Sequence, residues 1–127
     1  MSLESLFHIF LVASGGAAGA LLRYTISNLL RIYLNNGFYA TLYINIIGSF
    51  LIGYVISIGL SKNIPEYFIK YFLIIGFLGS FTTFSAFSYE VLDLILSKKK
   101  ILALIYILLS ISLCVVAAYI GMYINKF

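Results

Sequence analysis

Four apolar runs, each about the length of a bilayer-crossing helix, occupy nearly all of this 127-residue chain. They extend from about Leu6 to Leu30, Phe38 to Leu60, Phe68 to Leu96 and Ile101 to Ile124. A helix rises about 1.5 Å per residue, so about 20 apolar residues cross a hydrocarbon layer of roughly 30 Å. Lipid offers no partner to backbone N–H and C=O groups, which makes the helix the natural form of such a run. The connectors are short and hold the breakers: Arg31 to Gly37, Ser61 to Glu66 with the only proline, Pro65, and Ser97 to Lys100. Connectors this short make successive helices antiparallel neighbours. The expected fold is an all-α membrane protein, with four transmembrane helices in a single domain over residues 1–127, placed in the cell (inner or plasma) membrane.

Composition excludes the main alternatives. Hydrophobic residues make up 63% of the chain and charged residues 9%, more apolar surface than a soluble domain of this length can hide. No length remains for a soluble catalytic domain, and no Ser/His/Asp set, paired intramembrane carboxylate or P-loop is present, so an enzyme is not expected. The net charge of +4 does not indicate a nucleic-acid partner, because the basic residues sit at the ends of apolar runs, apart from the triplet Lys98, Lys99 and Lys100. Basic residues in such places meet lipid headgroups and set topology. The lone cysteine, Cys114, lies within an apolar run and reads as a small hydrophobe. His8 has no partner at helical spacing and reads as interfacial. Tyr33, Tyr39, Tyr67, Tyr71 and Tyr123 near the span ends read as an aromatic belt. Glu4 stands where a signal peptide carries basic residues, and the first run is too long for one, so the first span is expected to be retained.

Four crossings put both termini on one side with the second connector. That side carries Lys62, Lys70 and Lys126, and the other carries Arg31 and Lys98 to Lys100, with Arg23 if it reaches the surface. Orientation follows a clear excess of basic residues on one side. The near balance here predicts a chain that inserts both ways round, which permits an antiparallel homodimer about a two-fold axis in the membrane plane.

Polar groups inside spans are costly, so their positions are informative. In the first span Gly15, Gly16 and Gly19 form a small-residue pattern suited to close helix packing, followed four residues later by Arg23. Arg23 either snorkels to the headgroups or places positive charge at a water-filled entry. In the second span Thr41, Asn45 and Ser49 recur every four residues as one stripe, with Gly48 beside it to admit another backbone. Asn45 serves either an interhelical hydrogen bond or, through its NH₂ group, an anion in transit. The third span holds Gly76-Phe77-Leu78-Gly79-Ser80-Phe81-Thr82-Thr83-Phe84-Ser85-Ala86-Phe87-Ser88, in which glycines, threonines and hydroxyls predict an interruption at Gly79 to Thr83. Phe84 shares a face with Phe87, and Ser85 shares one with Ser88. Backbone freed there is tolerated only inside protein or along a cavity, and carbonyls from two copies would offer oxygen ligands to a cation such as Na⁺. In the fourth span Tyr106 and Ser110 share a face and extend a hydroxyl-lined track, with Ser112 roughly opposite. Glu90 is a weak candidate for the carboxylate that a proton-coupled pump needs.

Three strings, GGAAGALLRY at Gly15 to Tyr24, TLYINIIGSFLIG at Thr41 to Gly53 and GFLGSFTTFSAFS at Gly76 to Ser88, resemble the Fluc (CrcB-type) fluoride channels, and the match covers essentially the whole chain. The resemblance implies a dual-topology antiparallel homodimer with two pores, which exports fluoride passively and relieves its toxicity. It makes Asn45 a fluoride ligand, Phe84 and Phe87 the aromatic pair that meets the ion through ring edges, and Arg23 a vestibule residue. Ser85, Thr41, Tyr106 and Ser110 would supply hydroxyls along the polar track. Backbone carbonyls of Gly79 and Thr82 from both subunits would hold a structural Na⁺. The family commonly reads TTFSTF where this chain has Ala86, which removes one hydroxyl. Two other readings fit the size: a small dual-topology multidrug exporter, which needs a carboxylate deep in the first span, where only Glu4 stands at the edge, and a non-transporting membrane subunit.

Overall fold

The computed structural model describes residues 2–34, 37–61 and 64–124. Lys62 and Lys126, two of the residues in the charge balance, lie outside them. Helix α1 runs Leu3–Leu34, α2 Gly37–Ser61 and α3 Phe68–Leu78. One further turn, Gly79–Phe81, follows α3; α4 is Phe84–Leu96 and α5 is Lys100–Tyr123. Four stretches are long and apolar enough to cross a membrane: Leu3–Tyr33, Tyr39–Gly59, Phe68–Leu96 and Lys100–Tyr123. They match the four expected spans to within a few residues.

The differences at the ends have local causes. Ser2 Oγ accepts from the Ser5 N–H at 3.2 Å and so caps α1 three residues ahead of its apolar run. Glu4 in the first turn and Arg31 in the last complement the helix dipole and carry helical winding beyond the hydrophobic window. At 32 residues α1 is about 48 Å long, well over the hydrocarbon thickness, so it tilts or projects beyond it. The Pro65 carbonyl accepts from Phe68 and Ile69, which starts the third crossing.

The fold is inside-out relative to a soluble bundle. Only 17–22% of the residues in the apolar window of each crossing are buried in the protein. Phe10, Leu21, Leu108 and Val115 are exposed, whereas Thr41, Ser57 and Ser110 are buried. Helices in lipid gain little by hiding leucine from one another and associate through close packing and polar contacts.

Two helix pairs carry that packing. Gly15 and Gly19 of α1 lie on the carbonyls of Phe72 and Phe77 in α3, and Gly76 lies on the Val12 carbonyl, where an added Cβ would stand 2.9 Å from the oxygen. The contacts step by four residues on α1 and by five on α3, one turn of each. Helix α3 is wound as a π-helix, with the Gly79 N–H reaching back to Ile74 O. In the second pair Gly53 of α2 meets the Ala118 carbonyl, and Gly121 of α5 meets the Phe50 carbonyl. The small-residue pattern of α1 therefore serves close packing, as expected. Gly48 does not admit a backbone: the side chains of Thr82 and Phe81 occupy the space above it. Behind the site, Phe87 and Leu94 of α4 pack on Ala103 and Tyr106 of α5, flanked by Leu42.

Candidate functional site

The third crossing changes course at two residues. Thr82 (φ −79°, ψ 158°) and Thr83 (φ −149°, ψ 115°) are extended between the Gly79–Phe81 turn and α4. β-Branched residues adopt this conformation readily. Thr83 also caps α4, its Oγ1 accepting from the Ala86 N–H at 3.1 Å and lying 3.1 Å from Ser85 Oγ. The Thr83 N–H donates to Asn45 Oδ1 at 2.8 Å, and Asn45 Nδ2 donates to Thr83 O at 3.1 Å. This reciprocal pair fixes the amide orientation, because the Thr83 N–H can only donate. One of the two Asn45 N–H bonds is thereby used, and the other is left for a further acceptor.

The rerouted donors matter for the carbonyls. In a continuous α-helix the N–H groups of Thr83 and Ala86 would close onto Gly79 O and Thr82 O. Here they donate to Asn45 and to the Thr83 hydroxyl, so both oxygens lose their α-helical donors. The Ser80 carbonyl accepts instead from Arg23 Nε at 3.0 Å. Arg23 thus turns inward to the break and does not follow the snorkelling alternative. Its cation sits at the carboxyl end of a helical segment, where the dipole favours positive charge.

An open cavity of about 330 Å³ lies against the break, lined by residues that include Asn45, Gly79, Thr82, Phe84, Phe87 and Ser110. Ser49 and Cys114 also line it. The rings of Phe84 and Phe87 are 5.3 Å apart and tilted by 48°. Phe87 is 7% exposed, whereas Phe84 is 76% exposed and projects from its own chain. The Phe87 ring continues to Tyr106 at 5.4 Å.

Further along α4, toward the end of the crossing, Thr41 Oγ1 donates to Glu90 Oε1 at 2.5 Å and Tyr106 Oη donates to Glu90 Oε2 at 2.6 Å. Thr41 and Tyr106, both expected along the polar track, therefore meet at the Glu90 carboxylate. The available signal was its spacing, three residues beyond Phe87, but its partners lie 49 and 16 residues away in sequence. The stripe Thr41, Asn45 and Ser49 faces α4 and the break throughout. Of the residues singled out from sequence, Asn45, Phe84, Phe87, Ser110, Gly79 and Thr82 share the cavity, Thr41 and Tyr106 share Glu90, Ser85 bonds to the Thr83 cap, and Arg23 holds the Ser80 carbonyl. His8 stacks on Tyr71 at 4.0 Å.

Four apolar helices, each long enough to cross a membrane, define a multi-pass membrane protein. The family model described as CrcB-like protein, Camphor Resistance (CrcB), matches residues 10–122. The fluoride-specific ion channel FluC of Magnetococcus marinus is 40% identical over 116 residues, covering 91% of this chain and 94% of the relative. Fluoride-specific ion channel FluC 2 of Clostridium acetobutylicum is 41% identical over 118 residues, 92% of this chain and 97% of the relative. The FluC of Flavobacterium psychrophilum is 40% identical over 119 residues, 93% and 96% of the two chains. The chain belongs to the CrcB-like family.

Proposed function

We propose that this protein is a fluoride-selective channel of the cell membrane, working as an antiparallel, dual-topology homodimer. The observation that carries the reading is the cavity in which the break of the third crossing brings Asn45, Phe84 and Phe87 together, in a chain 40% identical to named fluoride channels. Fluoride is small and tightly hydrated, so a pore has to replace its water with donors. The second Asn45 N–H and the hydroxyls of Ser85 and Ser110 supply such donors, while the Thr41 and Tyr106 hydroxyls, whose protons go to Glu90, line the path without donating to the ion. Phenyl rings present positive charge at their edges and can meet an anion there without a conventional hydrogen bond. Weak ligands of this kind admit the ion and let it leave. The path is passive: the membrane potential drives the anion out of the cell and so relieves fluoride toxicity, with no chemical step.

The exposed Phe84 and the open cavity support a second copy as the missing wall. At the two-fold axis, the carbonyls of Gly79 and Thr82 from both copies would hold one Na⁺. Oxygen atoms without helical donors suit a hard cation of this size. Bound there, the ion would neutralise facing carbonyl dipoles and tie the two breaks together. Arg23, bonded at the break, holds positive charge on the approach to the path.

The test is efflux from liposomes loaded with fluoride. Wild-type protein passes fluoride and retains chloride. Asn45→Asp sets a negative charge where the ion is liganded, and Phe84→Ile removes the ring edge; each lowers fluoride flux by at least about a hundredfold, a barrier increase of about 2.7 kcal/mol. Wild-type flux in both variants removes these residues from the path, and chloride flux equal to fluoride flux removes the function.

A further inference from the structure

The turn between α4 and α5 departs from what its backbone favours. Helix α4 ends in a two-bond C-terminal cap: the Lys99 N–H donates to Leu94 O at 2.8 Å and the Lys98 N–H donates to Ile95 O at 3.0 Å. The motif needs one left-handed residue, which is Lys98 at φ 61°. Glycine fills that position in most proteins because it meets no steric penalty there. Among the described residues, Lys98 is the only non-glycine residue with positive φ. Lys99 and Lys100 follow, and the first turn of α5 contains no acidic residue to offset them. Three exposed cations thus crowd the amino end of a 24-residue helix, which itself favours negative charge. Local strain and unbalanced charge at one place indicate a function for the lysine side chains.

The surface beneath the turn is shaped to match. A hollow lined by Lys98, Lys99 and Lys100 continues over Ile101, Leu102 and Ile105. Leu102 and Ile105 also line a second hollow of about 190 Å³, which runs on to Leu109 between α5, Tyr39 and Leu42 of α2, and Leu94 of α4. Residues 102, 105 and 109 follow one helical stripe, about 10 Å long. Leu102, Ile105 and Leu109 are exposed, at 50%, 46% and 48%. The stripe lies on a different face of α5 from Ile111, Cys114 and Val115 of the broken-helix cavity. A basic rim above an apolar groove, both at the end of a crossing, complements one kind of molecule.

We propose that the α4–α5 turn and the groove below it form a binding site for an anionic phospholipid, with the phosphodiester on Lys98, Lys99 and Lys100 and an acyl chain along Leu102, Ile105 and Leu109. The groove also touches Tyr106, the donor to Glu90, so an occupied site packs against the back of the polar track. A free phosphate would satisfy the rim alone and leave the groove unused.

Native mass spectrometry of the full-length protein in mild detergent, titrated with phosphatidylglycerol, phosphatidylcholine or inorganic phosphate, tests the site. Phosphatidylglycerol should bind at least about tenfold more tightly than phosphatidylcholine, and inorganic phosphate should not compete. Each lysine near a phosphate contributes about a fivefold factor, so replacing all three by Gln weakens phosphatidylglycerol roughly a hundredfold. Leu109→Trp fills the groove and weakens both lipids. Lys98→Gly separates binding from folding: it relieves the left-handed strain, so its unfolding temperature without lipid equals or exceeds wild type, while phosphatidylglycerol affinity falls about fivefold. Equal binding of the two lipids, full affinity in the triple variant, or competition by phosphate at lipid-like concentration overturns the proposal. Full affinity in Leu109→Trp would reduce it to surface charge alone and overturn the groove.

Discussion

Glu90 shows most clearly how single residues act at this site. Its two carboxylate oxygens accept from two hydroxyls on two other helices, so one side chain joins α2, α4 and α5. Removing one partner of a buried polar set leaves the others unsatisfied, at about 1–3 kcal/mol. Glu90→Ala is therefore expected to lower the unfolding temperature, whereas Glu90→Gln, which keeps one acceptor oxygen, falls between that variant and wild type. Thermal unfolding in detergent orders the three, and an unshifted Glu90→Ala removes the carboxylate from the structural account. Sequence reading located Thr41 and Tyr106 but not their meeting point, because nothing in a linear string links residues 49 and 16 positions from Glu90. Asn45 was legible as a polar group deep in a span. Its reciprocal pairing with Thr83 was not, since that pairing exists only once the third crossing is extended there.

At the scale of the helices, glycine decides which surfaces touch. Gly53 and Gly121 each face a carbonyl on the opposing helix, an approach that no side chain permits. At Gly16 the nearest atom to an added Cβ is Ser80 Oγ at 3.3 Å, a side chain that can yield, and the Gly76 carbonyl oxygen stands at an ordinary contact distance of 4.0 Å. Gly53→Ala should reduce the monodisperse fraction recovered by size exclusion, while Gly16→Ala should elute as wild type. Equal behaviour of the two would show that the α2–α5 contact does not limit folding. The sequence pattern of small residues announced close packing but not the partner, because a glycine marks only where a neighbour can approach. The π-winding of α3 had no sequence signal at all. Gly48 was read as a place for backbone and instead receives Thr82 and Phe81, since the extended residues swing a threonine methyl across it.

For the molecule as a whole, hydropathy alone made the four crossings legible, since their length and composition leave lipid as the only adequate solvent. Orientation depends on a much smaller quantity. Basic residues number three against four or five across the two sides, a difference that a few substitutions reverse. Asn35→Lys with Asn36→Lys in the first connector is expected to drive all copies into one orientation and to lower fluoride flux with it. Co-expression with a variant biased the opposite way should restore flux. Reporters fused to each terminus measure the first effect and liposome efflux the second; full flux from uniformly oriented protein would exclude an antiparallel working unit.

Phe84 projects from the surface of its own chain, at the mouth of the cavity that its neighbours line. A wall supplied by a second molecule ties performance to encounter. On the proposed pairing, dilution of the protein into more lipid would lower the share of chains with a counterpart, so transport per chain would decline and approach proportionality to surface density. A reconstitution series at decreasing protein-to-lipid ratio should show this loss, and constant transport per chain down to isolated subunits would assign the whole path to one copy. A cell that makes little of this protein would then gain more from a doubling of its synthesis than one that makes plenty.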